Sequence, residues 1–392
     1  MKLHTYHDPM YNTTMLNVDS YRMYARGLYT HAPADVWHTW DQTLINACSV
    51  DTDPALLLTL HLDSGVMIYD LRTFVEQYPA LAHRYIYDES RIAIWRNRGL
   101  CAFLEAHWQS GVVIFVPPTV HYDTVVDISN LIDQSQRAIL LEKCIVIVQS
   151  HARITIIDRS SRQTYASVRL RAVDYALGDY ANVTIQVVDD AQDMAHAYVR
   201  HTIHAGAKSM VRYNAAMIGA AKSTFLIDCI THGKGAEIHV QGVIVAGQDA
   251  SVRCITQQHH DSVGGTTDVM IKGCVGDAGL FDYKGTVTIT HNAPKTAAHQ
   301  RSYALLLSER ARAAAVPILE VVHNDVGCSH GSAIGQLDQQ QLFYVRTRGL
   351  SNMQARTLLL QGFMGDILQH MDAIDHTALM SEMIRIVVGD AR

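Results

Sequence analysis

Between residues 152 and 285 the chain repeats one short theme, and that repetition restricts the available folds more than any other feature. Small residues followed by polar–apolar alternation begin near Ala152 (ARITIID), Ala181 (ANVTIQVV), Ala207 (AKSMVRY), Ala221 (AKSTFLID), Ala236 (AEIHVQG), Ala250 (ASVRCIT) and Ala278 (AGLFDY). The steps are 29, 26, 14, 15, 14 and 28 residues, close to multiples of 14. A fixed beat of this kind belongs to a quasi-one-dimensional stack in which each unit covers the apolar face of the next. Two short strands per coil, at about 28 residues a coil, would produce it. A β-sandwich is the rival, but its turns usually come every 8–12 residues, a rough spacing that does not match a 14-residue beat. Alternation assigns Ile154, Ile156, Val183, Ile185, Val187, Phe225, Ile227, Cys229, Ile238, Val240, Val252, Cys254, Val287 and Ile289 to the interior. Their neighbours Arg153, Thr184, Gln186, Asp228, His239, Arg253 and Thr288 then face solvent.

The flanks read differently. "ADVWHTWDQTLINACS" and "DLRTFVEQYPALAHRYIYDESRIAIWRNRGLCAFLEAHW" have helical spacing, with Asp70 as an N-cap. Beyond Gln336, Asp338 caps "QQQLFYVRTR", Gly349 fits a helix stop, and Ser351 caps a longer helix. Leu358, Leu359, Phe363, Ile367 and Met371 are expected to form its apolar stripe, and "TALMSEMIRIVV" a last helix. The expected fold is mainly β: a parallel β-helix over 106–335, an N-terminal helical or mixed region over 1–105, and a C-terminal helical domain over 336–392. A strand stack exposes an edge at each end, so a helical cap or a partner is expected there.

Composition narrows the function. With 392 residues and 48% hydrophobic content the chain buries a sizeable core, and its formal charge of −6 without a basic block argues against nucleic acid or membrane as main partner. The start lacks an apolar signal core, which gives the expectation of a cytoplasmic protein. Seven scattered cysteines without a CxxC pair indicate neither a disulfide framework nor a zinc ribbon.

Few motifs carry chemistry. "MIGAAKST" (217–224) has Ala216 and Ala221 where a phosphate loop needs glycine, and it keeps time with the strand repeat. His259, His260 and Asp261 read as a polar loop between strands, and Cys144, Cys229 and Cys254 as small core residues. Cys274, in "KGCVGDAG", lies among glycines and has no His–carboxylate pair beside it. The outward positions lack the carboxylate cluster of a β-helix polysaccharide enzyme. Cys328 and His330 remain. Thiolate and imidazole both bind iron, yet two ligands are too few for a cluster. By spacing alone a turn around Gly327 and Gly331 is the simpler reading.

One stretch carries more than spacing. "HNDVGCSHGSAIGQLDQQQLFYVRTRGL" (323–350) resembles the signature of the SufB/SufD family of iron–sulfur cluster assembly proteins, and its SufD branch above all. Upstream, Gly285, Lys295-Thr296, Gln300, Leu305–Leu307 and Pro317–Glu320 agree with that branch, so the strong likeness covers about 284–370. The resemblance implies a right-handed parallel β-helix, pairing with a SufB-type protein, and docking of the SufC-type ABC ATPase on the C-terminal helices. It implies a non-enzymatic scaffold, with a transient iron–sulfur cluster or iron at the subunit interface and no tightly bound cofactor. His330 then takes the place of the family's interface ligand, with Cys328 beside it. The ATPase dock involves Asp338, Phe343, Tyr344, Arg346, Arg348, Leu358, Leu359 and Phe363, and the dimer surface lies around 284–326. The family's acidic pair is reduced here to Gln336-Leu337-Asp338-Gln339-Gln340, and the SufB-type sulfur-accepting motif is absent. The alternatives are a self-pairing scaffold and a carbohydrate-active β-helix enzyme. A flavin is not legible in the sequence.

Overall fold

The alternating runs become a parallel two-sheet coil in a computed structural model that describes residues 59–61, 65–85, 99–108, 110–118, 121–128, 139–160, 168–191 and 194–388. From β3 (Ser110–Val116) to β18 (Val326–Gln336), odd-numbered strands join one sheet and even-numbered strands the other. Each strand pairs in parallel with the strand two positions on, for example β10 (Met210–Ile218) with β12 (Glu237–Ala246). One coil takes from 26 residues (His196 to its partner Lys222) to 32 (Leu280 to Arg312), which is the predicted double beat. The mainly β solenoid expected from the repeat is therefore the observed fold. At the N-terminal end β1 (Thr59–His61) and β2 (Met67–Asp70) extend the odd sheet with antiparallel pairing.

Every residue assigned to the interior is at most 2% exposed. Two assigned to solvent, Gln186 and Asp228, are also buried. They point outward, but both sheets are partly covered. Asp228 follows Leu226, which packs in the cluster under α1 (Leu71–Gln77), α2 (Pro79–Tyr85) and α3 (Gly99–His107). Gln186 donates to Asp372 and accepts from the Ala373 N–H, beneath the C-terminal helices. Asp70 caps α1 as expected. The helical reading of 34–49 lies outside the described residues.

The corners leading from the odd sheet to the even sheet share one backbone device. His151, Tyr180, Lys208, Gly235, Gly264 and Lys295 all adopt φ between 53° and 71°. Each donates its N–H to a carbonyl of the next coil, from His151 to Asp179 (2.9 Å) through to Lys295 to Asp325 (2.6 Å). Four of the six are not glycine, at a cost of roughly 1–2 kcal/mol each for the left-handed conformation. Side chains stacking along the ridge offset part of that cost. The His151 and Tyr180 rings lie parallel at 4.8 Å, and the Lys208 ammonium sits 5.3 Å from the Tyr180 ring.

The solenoid interior also holds charge. Arg171 bonds Glu142 and Asp158, Arg169 bonds Asp189, and Tyr213 meets His201 Nδ1 at 3.0 Å, all fully enclosed. Burial first, and then Arg171, pushes the His201 pKa down to about 3.

C-terminal helices α4 (Gln339–Thr347), α5 (Asn352–Leu368) and α6 (His376–Val388) follow the coil. Asp338 and Ser351 cap α4 and α5 as predicted. The expected stripe is shifted: Leu360, Met364, Ile367, Leu368 and Met371 are buried, whereas Leu358 is 48% exposed. Three consecutive leucines leave the helix phase open, and the 4-3-4 spacing of 360, 364, 367 and 371 decides it. These side chains cover Cys274, which is buried rather than exposed among its glycines. The helices do not cap the end of the coil; they lie along its flank. Arg356 reaches the Leu307 carbonyl, Lys272 bonds Asp366 and the Phe363 carbonyl at 2.7 Å, and Asn214 reaches the His370 carbonyl at 3.3 Å. With Gln186 these anchors span β16 (Thr296–Leu306) to β8 (Asn182–Asp190). Four strand spacings of about 4.8 Å are comparable to the roughly 25 Å of a 17-residue helix. The chain then returns through α6, whose Ile386 and Val387 carbonyls lie 2.5 Å from where a Cβ on Gly247 or Gly276 would stand.

Two outcomes follow from this packing. Gly276→Val forces α6 off the corner, with an expected loss of about 1–3 kcal/mol in chemical denaturation and faster hydrogen exchange confined to α6. His201 stays neutral in the fold down to about pH 3 but protonates near 6.5 when unfolded. Its contribution is therefore complete above 6.5 and declines by about 1.4 kcal/mol per pH unit below it. Denaturation at pH 7 and pH 5 is expected to show a shallower acid loss in His201→Asn than in wild type.

Candidate functional site

The last coil is open. Among the described residues, strands β17 (Arg312–Val321) and β18 each have one neighbour, so their outer edges present unpaired backbone groups. Around this rim Val316, Leu319, Val321, Val322 and Ile334 are exposed, Val322 at 70%. An apolar rim beside an unpaired edge is the surface a second chain would cover.

Cys328 and His330 lie on this edge. The sequence suggested a turn, but "VGCSHGSAIGQ" is a strand with Gly327 and Gly331 inside it. Its register places Cys328 beside Ala298 and His330 beside Gln300, both of which face the interior. Cys328 and His330 therefore share the inner face of the terminal strand, while Gly327, Ser329, Gly331, Ala333 and Gly335 form the outer one. His330 is exposed to solvent. Cys328 is half-buried against Val287, Ile289, Ala293 and Ala298. Partial burial raises its thiol pKa, and a hydrogen bond with the Ala298 backbone lowers it in part. On the outer face His299 Nδ1 meets Ser329 Oγ at 2.7 Å.

Among the described residues no group of three His, Cys, Asp or Glu could hold a metal ion. A thiol and an imidazole on one face of an unpaired edge are two side chains able to bind iron, too few to hold a cluster by themselves. His259 and His260 are separated as alternation requires, but on a strand, not a loop: β13 (Ser251–His260) carries both. His260 is buried between Thr231 and Thr267, and burial pushes its pKa down to about 4. "MIGAAKST" divides between β10 and β11 (Lys222–Thr231) and forms no phosphate loop.

The helical residues singled out from sequence form a second surface. Phe343 and Tyr344 are 68% and 58% exposed on α4, and Arg348 donates to the Tyr344 hydroxyl at 2.9 Å while lying over its ring. Arg346, Asp338 and Leu358 are also exposed. Leu359 is half-buried, and Phe363 is engaged within the chain, its ring 4.9 Å from the Lys272 ammonium. Most of the apolar rim, Val316 to Val322, falls within the 284–326 stretch expected to be the dimer surface, whereas Ile334 lies beyond it.

Exposure distinguishes the thiols. Cys101, Cys144, Cys229, Cys254 and Cys274 are buried, and burial pushes Cys144 and Cys274 up to about 12. Maleimide labelling of the native protein followed by peptide mass spectrometry is expected to modify Cys328 in minutes and to leave these five unmodified until denaturant is added.

Comparison with known proteins agrees with this geometry. Residues 130–363 match the family model described as "SUF system FeS cluster assembly, SufBD core domain". The chain is 24% identical over 312 residues to the iron–sulfur cluster assembly protein SufD of Bacillus subtilis, covering 79% of this chain and 71% of that protein. It is 22% identical over 355 residues to a SufBD family protein of Pyrococcus horikoshii, covering 89% and 78%. A SufBD family protein of Mycobacterium tuberculosis is 30% identical over 226 residues, 55% of each chain, so the match spans about half the length of that relative. With more than half its length inside the family core and the solenoid that core builds, the chain belongs to the SufB/SufD family of iron–sulfur cluster assembly proteins, on the SufD branch.

Proposed function

We propose that this chain is a SufD-like scaffold subunit, not an enzyme, whose open last coil joins a SufB-type protein and presents His330 to the iron or nascent cluster formed between them. The observation that carries the reading is an exposed imidazole on the inner face of an unpaired edge strand, ringed by uncovered apolar side chains. Cys328, two residues away on the same face, is close enough to share the cargo. Iron and sulfide are cargo here and not a resident cofactor.

The second surface supports an ATPase dock. Phe343 and Tyr344 with Arg346, Arg348 and Leu358 form an aromatic and cationic patch of the kind that anchors interfaces. Motion of a SufC-type ATPase bound there would reach the coil through α5 and the turn after it, which together are fixed at four levels of the even sheet from β16 to β8. Binding that differs between the two nucleotide states of the ATPase is what could bias the last coil. The carbohydrate-enzyme alternative loses support from the ion pairs of Arg301 with Asp268 and Arg253 with Asp282, which occupy outward carboxylates. Assembly in the cytoplasm is part of this proposal.

Anaerobic affinity purification from the native host tests it. The expected result is co-purification of a SufB-type and a SufC-type chain, with iron that falls at least several-fold in His330→Ala. Phe343→Ala/Tyr344→Ala is expected to lose the ATPase while keeping the other partner. A homodimer that retains iron without a second chain type would overturn the heterodimer, and undiminished iron in His330→Ala would overturn the role of the imidazole.

A further inference from the structure

Gln300 has a buried side chain whose amide oxygen is unused. It is 1% exposed, and its Oε1 has no hydrogen-bond partner among the described residues. Leaving such an oxygen unpaired costs about 1–3 kcal/mol, so an inward-facing glutamine at this position calls for a reason. Its surroundings point to one. On one side of Gln300 in the even sheet lies Val269, fully buried and apolar. Across the coil is Gly285, where a Cβ would stand 2.2 Å from Gln300 Nε2 and 2.6 Å from Oε1. The absence of a side chain at 285 is what admits the amide. The neighbour of Gly285 on the next coil is Pro317, which has no N–H to offer. On the remaining side of the stack, about 4.8 Å away between backbones, lies His330.

We propose that Gln300 is a positioning residue for His330. One imidazole N–H donates to Gln300 Oε1, and the other ring nitrogen is thereby presented as a lone-pair donor to iron. The inference rests on the reading of His330 as the interface ligand. In the free chain His330 is exposed and makes no hydrogen bond to another described residue, so its ring is left to solvent while the Gln300 oxygen stays enclosed and unpaired. Once a second chain covers the last coil, the imidazole is turned in from solvent, and the bond between the two satisfies the buried oxygen and selects the imidazole tautomer together. Ligating histidines are commonly fixed in this way through their second nitrogen, and loss of the outer partner typically weakens metal binding 10–100-fold. A single amide supplies orientation without adding charge beside the cargo.

The test uses the full chain assembled with its SufB-type partner and freed of metal, carrying Gln300→Met, Gln300→Glu or His330→Ala. Zinc is the diamagnetic probe, and 15N-labelled imidazole signals report which ring nitrogen carries the proton. Iron retained after anaerobic purification from the native host is the second readout. In wild type, zinc is expected to bring His330 to one tautomer. Gln300→Met, close in shape but without an acceptor, is expected to mix the tautomers and weaken zinc about tenfold. Gln300→Glu, which restores an acceptor, is expected to recover both. Wild-type signals and zinc affinity in Gln300→Met, with His330→Ala depleted of iron, overturn the positioning role alone. Equal losses in Gln300→Met and Gln300→Glu reduce Gln300 to packing and overturn it too. Full iron in His330→Ala removes the ligand reading and this inference with it.

Discussion

Everything in this molecule depends on each coil closing onto the one before it in register. A slip of one residue would exchange the inner and outer faces of a strand, moving Val183, Ile185 and Val187 to the flank and polar Thr184 to the core. The left-handed corner residues guard against that slip. Their N–H groups tie successive corners at fixed points, and the strands between them have no freedom to shift independently. Strain at His151, Tyr180, Lys208 and Lys295 is tolerated because the rest of the coil over-determines those positions.

Register also explains why the interior can hold charge. Arg171 between Glu142 and Asp158 is costly to bury, and removing one member would strand the others. Such a set is satisfied in one alignment of coils and broken in any other, which penalises misfolded stacks more than it strengthens the native one. Toward the open end the interior becomes neutral, with Thr256 against Tyr283, His260 between two threonines, and then Gln300. Among the described residues, interior charge is confined to the earlier coils, and Cys328 and His330 stand on the last one.

Much of this architecture was legible in the sequence because inward positions obey a single rule. A coil interior accepts Val, Ile, Phe or Cys at alternate positions, so periodicity alone assigned Ile154 through Ile289 correctly. Coverage of the outer faces was not legible. Gln186 and Asp228 have the polarity of exposed residues, and only the tertiary placement of helices over both sheets buries them. The phase of α5 was obscured by three adjacent leucines. "CSHG" read as a turn because its glycines looked like turn residues, whereas they line the outer face of a strand where no neighbour in this chain needs the space. The role of His330 came from resemblance. Gln300 could not be weighed until register placed it beneath that ring.

One feature of the flank bears on mechanics. A helix and its trailing turn, fastened at four levels along a stack of layers, let the stack bend about them but resist torsion around the long axis. The levels beyond the last rivet, Arg356 at Leu307, lack that bracing. Twist applied from outside would therefore concentrate at the terminal layer, where the thiol and imidazole sit, and the remainder of the barrel would turn as one body.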